Sequence, residues 1–181
     1  MDDFARIRSA VAGAAREAWT RLRDEHPDDD FYYFGLWTSP VAHRPAPTAC
    51  SLQGLSAAAR SCDEELPVAV DDLRWDVNSS PYDLFGDEFF ARLDPLFEAL
   101  GDPYDRPRGT NQALLDAMEG ALADLDADGF FGAGAARNAV VVNVTMPAHE
   151  RPGDALESAR RLNPGGALTR YEADLSASGI R

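Results

Sequence analysis

Residues 31–38, Phe31-Tyr32-Tyr33-Phe34-Gly35-Leu36-Trp37-Thr38, constrain the fold more than any other stretch. The run is short, rich in aromatic residues, and bounded by Asp30 on one side and Ser39-Pro40 on the other, the pattern of a β-strand. Strict alternation sends Phe31, Tyr33 and Trp37 to one face and Tyr32, Phe34 and Leu36 to the other. Both faces are apolar, so both must leave water. That predicts a central strand covered on each side, not an edge strand with one wet face.

The rest of the chain supplies the cover. Phe4, Ile7, Val11, Ala14, Ala18 and Leu22 recur at helical spacing, with Asp2 and Asp3 before them and Arg21 and Arg23 after, as a helix dipole favours. They predict a first helix over about residues 2–25. Residues 40–47 carry three prolines and read as a loop, and residues 48–50 as a short second strand. Ser51 caps a helix carrying Leu52, Leu55, Ala58, Ala59 and Cys62. Residues 67–70 with Leu73, Arg74 and Trp75 read as extended, and Asn78-Ser79-Ser80-Pro81 as a turn.

Asp87 starts a helix with Phe89, Phe90, Leu93, Leu96, Phe97 and Leu100 inward, in which Pro95 marks a kink or a new first turn. Thr110 caps a helix ending at Gly129, a natural C′ residue. Valines at 140, 142 and 144 make residues 139–146 the clearest strand. A loop over residues 147–153, a helix over residues 154–162 and a tail with Leu168 and Tyr171 as a further edge strand complete the reading. The expected architecture is one α+β domain over residues 1–181, its core about residues 4–175. It has a small, mostly antiparallel sheet of about four strands and about five helices.

Composition narrows the function classes. Net charge is −14, from 31 acidic residues against 17 basic ones, all arginine. Such a surface repels phosphate backbones and anionic lipids and attracts basic partners, which speaks against a nucleic-acid or membrane partner. No apolar run approaches the ~18 residues of a spanning helix. The acidic start does not resemble a signal peptide, and Cys50 and Cys62 match no metal or redox spacing, so the expected location is the cytoplasm.

Residues 124–129, Asp-Leu-Asp-Ala-Asp-Gly, open like a calcium loop, but the twelfth position, which must be a bidentate carboxylate, is Ala135. His149-Glu150 opens like a zinc-protease motif, yet Gly153 stands where the second His belongs. Neither a phosphate-binding glycine loop nor a nucleophile elbow is present. No catalytic residue, cofactor or metal site is therefore assigned, and the expectation leans away from an enzyme. Trp75, Asp76, Tyr82 and Asp83 form an aromatic-acidic cluster around a turn, and with Tyr33 and Trp37 they make a candidate binding surface. The alternative for Trp37 and Trp75 is plain core filling. Asn143 interrupts a valine run and is either a satisfied sheet residue or part of a pocket lining.

Several of these segments, taken in order, resemble the bacterial family of domain of unknown function 4303. They are the aromatic strand at residues 31–38, Leu73-Arg74-Trp75 with Tyr82 following, residues 125–132, residues 140–145, and Ser158 to Pro164. The resemblance implies a compact α+β domain and brings no catalytic residues with it.

Three functional readings compete. The first is a non-catalytic acidic protein-binding module, immunity-type or regulatory, that engages a basic partner. The second is a small enzyme or ligand-binding domain with a pocket near Trp75 and Asn143. The third is a homodimeric structural protein with the aromatic strand at its interface.

Overall fold

In a computed structural model, which describes residues 2–62, 65–147 and 154–177, the aromatic segment forms β1 (Phe31–Trp37). It is the middle of a three-stranded sheet. On one side it pairs antiparallel with β2 (Ala46–Ser51), and on the other it pairs parallel with β3 (Val141–Thr145). The sheet is thus mixed and has three strands among the described residues, not about four in a mostly antiparallel arrangement. The parallel pair follows from connectivity. β2 is joined to β1 by a short loop, whereas β3 returns only after a long helical crossover.

Six helices lie on that crossover: α2 (Leu52–Ala59), α3 (Leu66–Leu73), α4 (Asp87–Ala91), α5 (Asp94–Glu98), α6 (Thr110–Ala127) and α7 (Ala135–Asn138). α1 (Asp3–Glu25) precedes the sheet, and α8 (Asp154–Leu162) and α9 (Gly165–Ala177) follow it. Nine α-helices are therefore present among the described residues, against about five expected. The differences have local reasons. Residues 67–70 are helical, not extended, because Pro67 suits a helical first turn and Leu66, Ala69, Val70 and Leu73 repeat at helical spacing. Pro95 opens a new first turn, so the expected single helix after Asp87 splits into α4 and α5. The tail is α9 and not an edge strand, with Leu168 and Tyr171 buried on one side of it.

Each face of the sheet carries its own apolar layer. Phe34, Leu36, Ala49, Val142 and Val144 pack against α1, α4 and α6, with Trp19, Phe90 and Met118 among the fully buried side chains. Tyr32, Tyr33, Cys50 and Val141 face the opposite layer, with Leu55, Ala159, Leu168 and Tyr171. The cover on both faces is as the strand's sequence predicts, but strict alternation fails at its start. Phe31 pairs with Ser51 while Tyr33 pairs with Cys50, so β1 holds one extra residue, a bulge. The bulge puts Tyr32 on the same side as Tyr33 and turns Phe31 back to stack on Phe34, ring centroids 5.4 Å apart.

Both sheet edges are covered. Along β2, the Leu84 N–H donates to the Pro47 carbonyl at 2.9 Å and the Ser80 hydroxyl donates to that of Ala49. Along β3, the Asn163 side chain acts like a strand partner. Its Oδ1 accepts from the Val142 N–H at 2.8 Å and its Nδ2 donates to the Val142 carbonyl at 2.6 Å. Edge groups satisfied in this way offer no template to another chain. β1 itself is internal, so the homodimer reading loses the aromatic strand as its interface.

Candidate functional site

The proposed binding-surface residues divide between the two layers. Tyr82, Asp83 and Trp37 belong to a lip along the β2 edge. The Tyr82 ring lies 5.6 Å from Phe31 and 4.9 Å from His26, and its hydroxyl donates to Asp29 Oδ2. Burial, together with that carboxylate, pushes the Tyr82 phenol up to about 12. Ser51, which also caps α2, donates to the same Asp29 oxygen at 2.5 Å. Gln53 donates to Asp30 Oδ2 at 3.1 Å, and Trp37 Nε1 donates to Asp83 Oδ1 at 2.8 Å. Asp76 accepts from the Asn78 N–H at 3.0 Å and the Ser79 hydroxyl at 2.7 Å, capping a short 3-10 turn (Val77–Ser79).

Every donor to these carboxylates is neutral. Twelve other carboxylates are paired with arginine: eleven arginines make these ion pairs, among them Arg8 with Asp124, Arg16 with Asp128 and Arg137 with Asp126. Asp28, Asp29, Asp30, Asp76 and Asp83 pair with none of them among the described residues; Asp28 and Asp30 are exposed and the other three partly so, and no arginine cancels their charge.

The calcium-like segment has a structural role. Gly129 is at φ +77°, its N–H donates to the Asp126 carbonyl at 2.8 Å, and the Phe130 N–H donates to that of Leu125 at 3.0 Å. These two bonds form a Schellman stop for α6, and the three aspartates are each taken by an arginine. His149 lies outside the described residues.

Trp75, Tyr33 and Asn143 belong to the opposite layer. Asn143 is fully buried and satisfied. Its Nδ2 donates to the Ala155 carbonyl at 3.0 Å and the Tyr171 hydroxyl at 3.3 Å, and its Oδ1 accepts from the Val144 N–H at 2.9 Å. It holds the sheet through these bonds. Trp75 meets Tyr32, Tyr33 and Tyr171 edge-on at 5.3, 6.2 and 4.8 Å, and its Nε1 donates to Asp174 Oδ2 at 2.9 Å.

Beside Trp75 opens a cleft of about 490 Å³ walled by Tyr32, Leu52, Val141 and Ala167. Arg74, Arg170, Asn138 and Thr169 supply its polar groups. Of the residues named in the pocket expectation, Trp75 borders this cleft, and Tyr32 lines it too. The Tyr32 hydroxyl donates to the Arg74 carbonyl at 2.8 Å and lies 2.8 Å from Cys50 Sγ. Burial raises the Tyr32 phenol and pushes the Cys50 thiol up to about 11, so both are neutral at physiological pH. A buried, neutral thiol is a packing residue and not a nucleophile.

One arrangement escapes sequence reading. The Ser39 hydroxyl lies 2.6 Å from His43 Nδ1, and His43 lines a cleft of about 560 Å³ together with Phe97, Glu98, Asp102 and Arg106. The pair brackets Pro40 and matches no motif, so only the turn of the loop brings it together. An activated serine needs its base oriented by a third group. The His43 ring meets only Ser39 and the edge of Tyr104 among the described residues.

A family model described as a domain of unknown function, DUF4303, matches residues 11–164 of the chain. No curated protein and no solved structure matches it.

Proposed function

On the premise that the chain belongs to the DUF4303 family, whose description assigns no chemistry, we propose that it is a non-catalytic acidic binding module that engages a basic protein partner. An immunity-type or regulatory role fits such a module. The observation that carries this reading is the β2-edge lip, where carboxylates are oriented by hydroxyl, amide and indole donors and not by arginine. An arginine would cancel the charge it positions. A neutral donor fixes the carboxylate and leaves its field intact for an approaching cation. Tyr82 and Trp37, both half-buried, add aromatic surface among these acids, the residue types that anchor interfaces.

The test is affinity capture from the native host at about 50 mM and about 500 mM salt, with the captured protein then purified. A basic partner is expected, with association slowed by salt and by Asp28→Asn with Asp30→Asn, two exposed positions. No capture, an acidic partner, or binding indifferent to both salt and the double substitution would overturn the reading.

A further inference from the structure

The cleft beside Trp75 has an electrostatic character opposite to that of the chain. In a protein with 31 acidic and 17 basic residues, the residues lining it include two arginines and no carboxylate. Asp174 lies 3.9 Å from Arg74 Nε and 3.4 Å from Arg170 Nε, so one acid serves two guanidinium groups. The Arg74 side chain is only 10% exposed, and its buried Nε–H has no hydrogen-bond acceptor among the described residues. The guanidinium is held over the Tyr32 ring, 5.6 Å from its centroid, and its pairing with Asp174 is long, so much of its charge is left for a further anion.

We propose that this cleft binds a small free carboxylate with an aromatic body, its acid group on Arg74 and Arg170 and its ring against the apolar wall that Trp75, Tyr32 and Leu52 contribute to. Shape and chemistry agree on that class. The volume falls within the range of small-molecule sites, and aromatic and aliphatic walls with a few convergent polar groups are what such sites are made of. The planar guanidinium fork is suited to a carboxylate, and Asn138 and Thr169 offer further polar groups at the same wall. Tyr32 and Cys50 remain neutral and add no competing charge. The site lies in the layer opposite the acidic lip, and it stands or falls independently of a protein partner.

Titration calorimetry of the full chain with phenylacetate and indole-3-acetate, against phenylacetamide and plain acetate, tests this. The two aromatic acids are expected to bind with a dissociation constant of about 1 mM or tighter. The amide, lacking the charge, and acetate, lacking the ring, should each bind at least about tenfold more weakly. Arg74→Gln should lose about tenfold, and the exposed Arg170→Gln, which leaves the core untouched, about threefold. Absence of binding by both aromatic acids would overturn the proposal. So would equal binding of acid and amide by the wild-type chain, a comparison that depends on no variant's folding, or unchanged affinity in Arg170→Gln and a folded Arg74→Gln alike.

Discussion

The acidic lip on the β2 edge and the arginine cleft beside Trp75 are made from the same few residue types, yet they handle charge in opposite ways. On the lip, Asp29, Asp30 and Asp83 are held by Ser51, Tyr82, Gln53 and Trp37, all neutral, so negative charge accumulates. In the cleft, Arg74 and Arg170 share one carboxylate among the described residues, so positive charge is in excess there. The two aromatic anchors make the contrast concrete. Trp37 and Trp75 both donate their indole N–H to an aspartate, at 2.8 and 2.9 Å, but Asp83 has no arginine beside it and Asp174 has two. A net charge of −14 is thus no guide to the charge a ligand meets at a given place. Local donors decide that.

The contrast can be tested hardest at Arg137. Its buried guanidinium bonds Asp126 at 2.5 Å, the Val140 carbonyl at 2.6 Å, the Leu162 carbonyl at 3.0 Å and Asn163 Oδ1 at 3.1 Å. It therefore ties α6, the start of β3 and the end of α8 together, next in sequence to Asn138 and Ala139 of the cleft lining. Arg137→Met should cost about 3 kcal/mol in urea denaturation and speed hydrogen exchange along β3. Capture of a basic partner by the lip should survive wherever the chain remains folded. A loss below about 1 kcal/mol would mean that the knot is not what holds the cleft side.

A smaller effect is expected at Trp75. Trp75→Phe keeps the ring against Tyr32 and Tyr171 but removes the bond to Asp174, and should cost about 1 kcal/mol in the same assay. With its indole donor gone, Asp174 is held less firmly and draws more on the two arginines, so binding of aromatic acids should weaken while the salt dependence of partner capture stays as in wild type. Equal damage to both would deny that the regions are independent.

The smallest effect separates the regions by pH. Cys50, in the cleft layer, is raised from 9.0 to about 11, and Tyr82, on the lip, from 10.0 to about 12. Each is neutral in the folded chain over a range where the unfolded chain ionises. Their contribution is fully present below about pH 9 and is lost as pH rises towards 11 and then 12. Denaturation midpoints should fall across that window. Cys50→Ala should flatten the lower part of the decline, and Tyr82→Phe the upper part.

Much of the architecture was legible in local chemistry. The two-sided aromatic strand predicted cover on both faces, and Ser51 and Gly129 were readable as cap and stop because their roles need only a few neighbouring residues. α3 was legible in principle, through the helical spacing of Leu66, Ala69, Val70 and Leu73, but Pro67 reads equally as a breaker until its neighbours are counted. The site was less legible. Tyr82 and Asp83 were found as members of an aromatic-acidic patch, yet Asp29, which bonds Tyr82, lies 53 residues away in the chain. Arg170 carried no signal and Arg74 only its place in the Leu73-Arg74-Trp75 segment, since an arginine in an arginine-rich chain is ordinary until its surroundings are known.

Periodicity, caps and charge are properties of neighbours in the chain, and they suffice for the α+β class, the central place of the aromatic strand and the acidic character of the surface. The bulge at Tyr32, the parallel return of β3, the burial of Asn143 and the meeting of Arg74 with Arg170 depend on contacts between distant segments. Register and crossover were chosen by which packing buries both faces of β1 at once, a cooperative free energy that no single stretch of sequence contains.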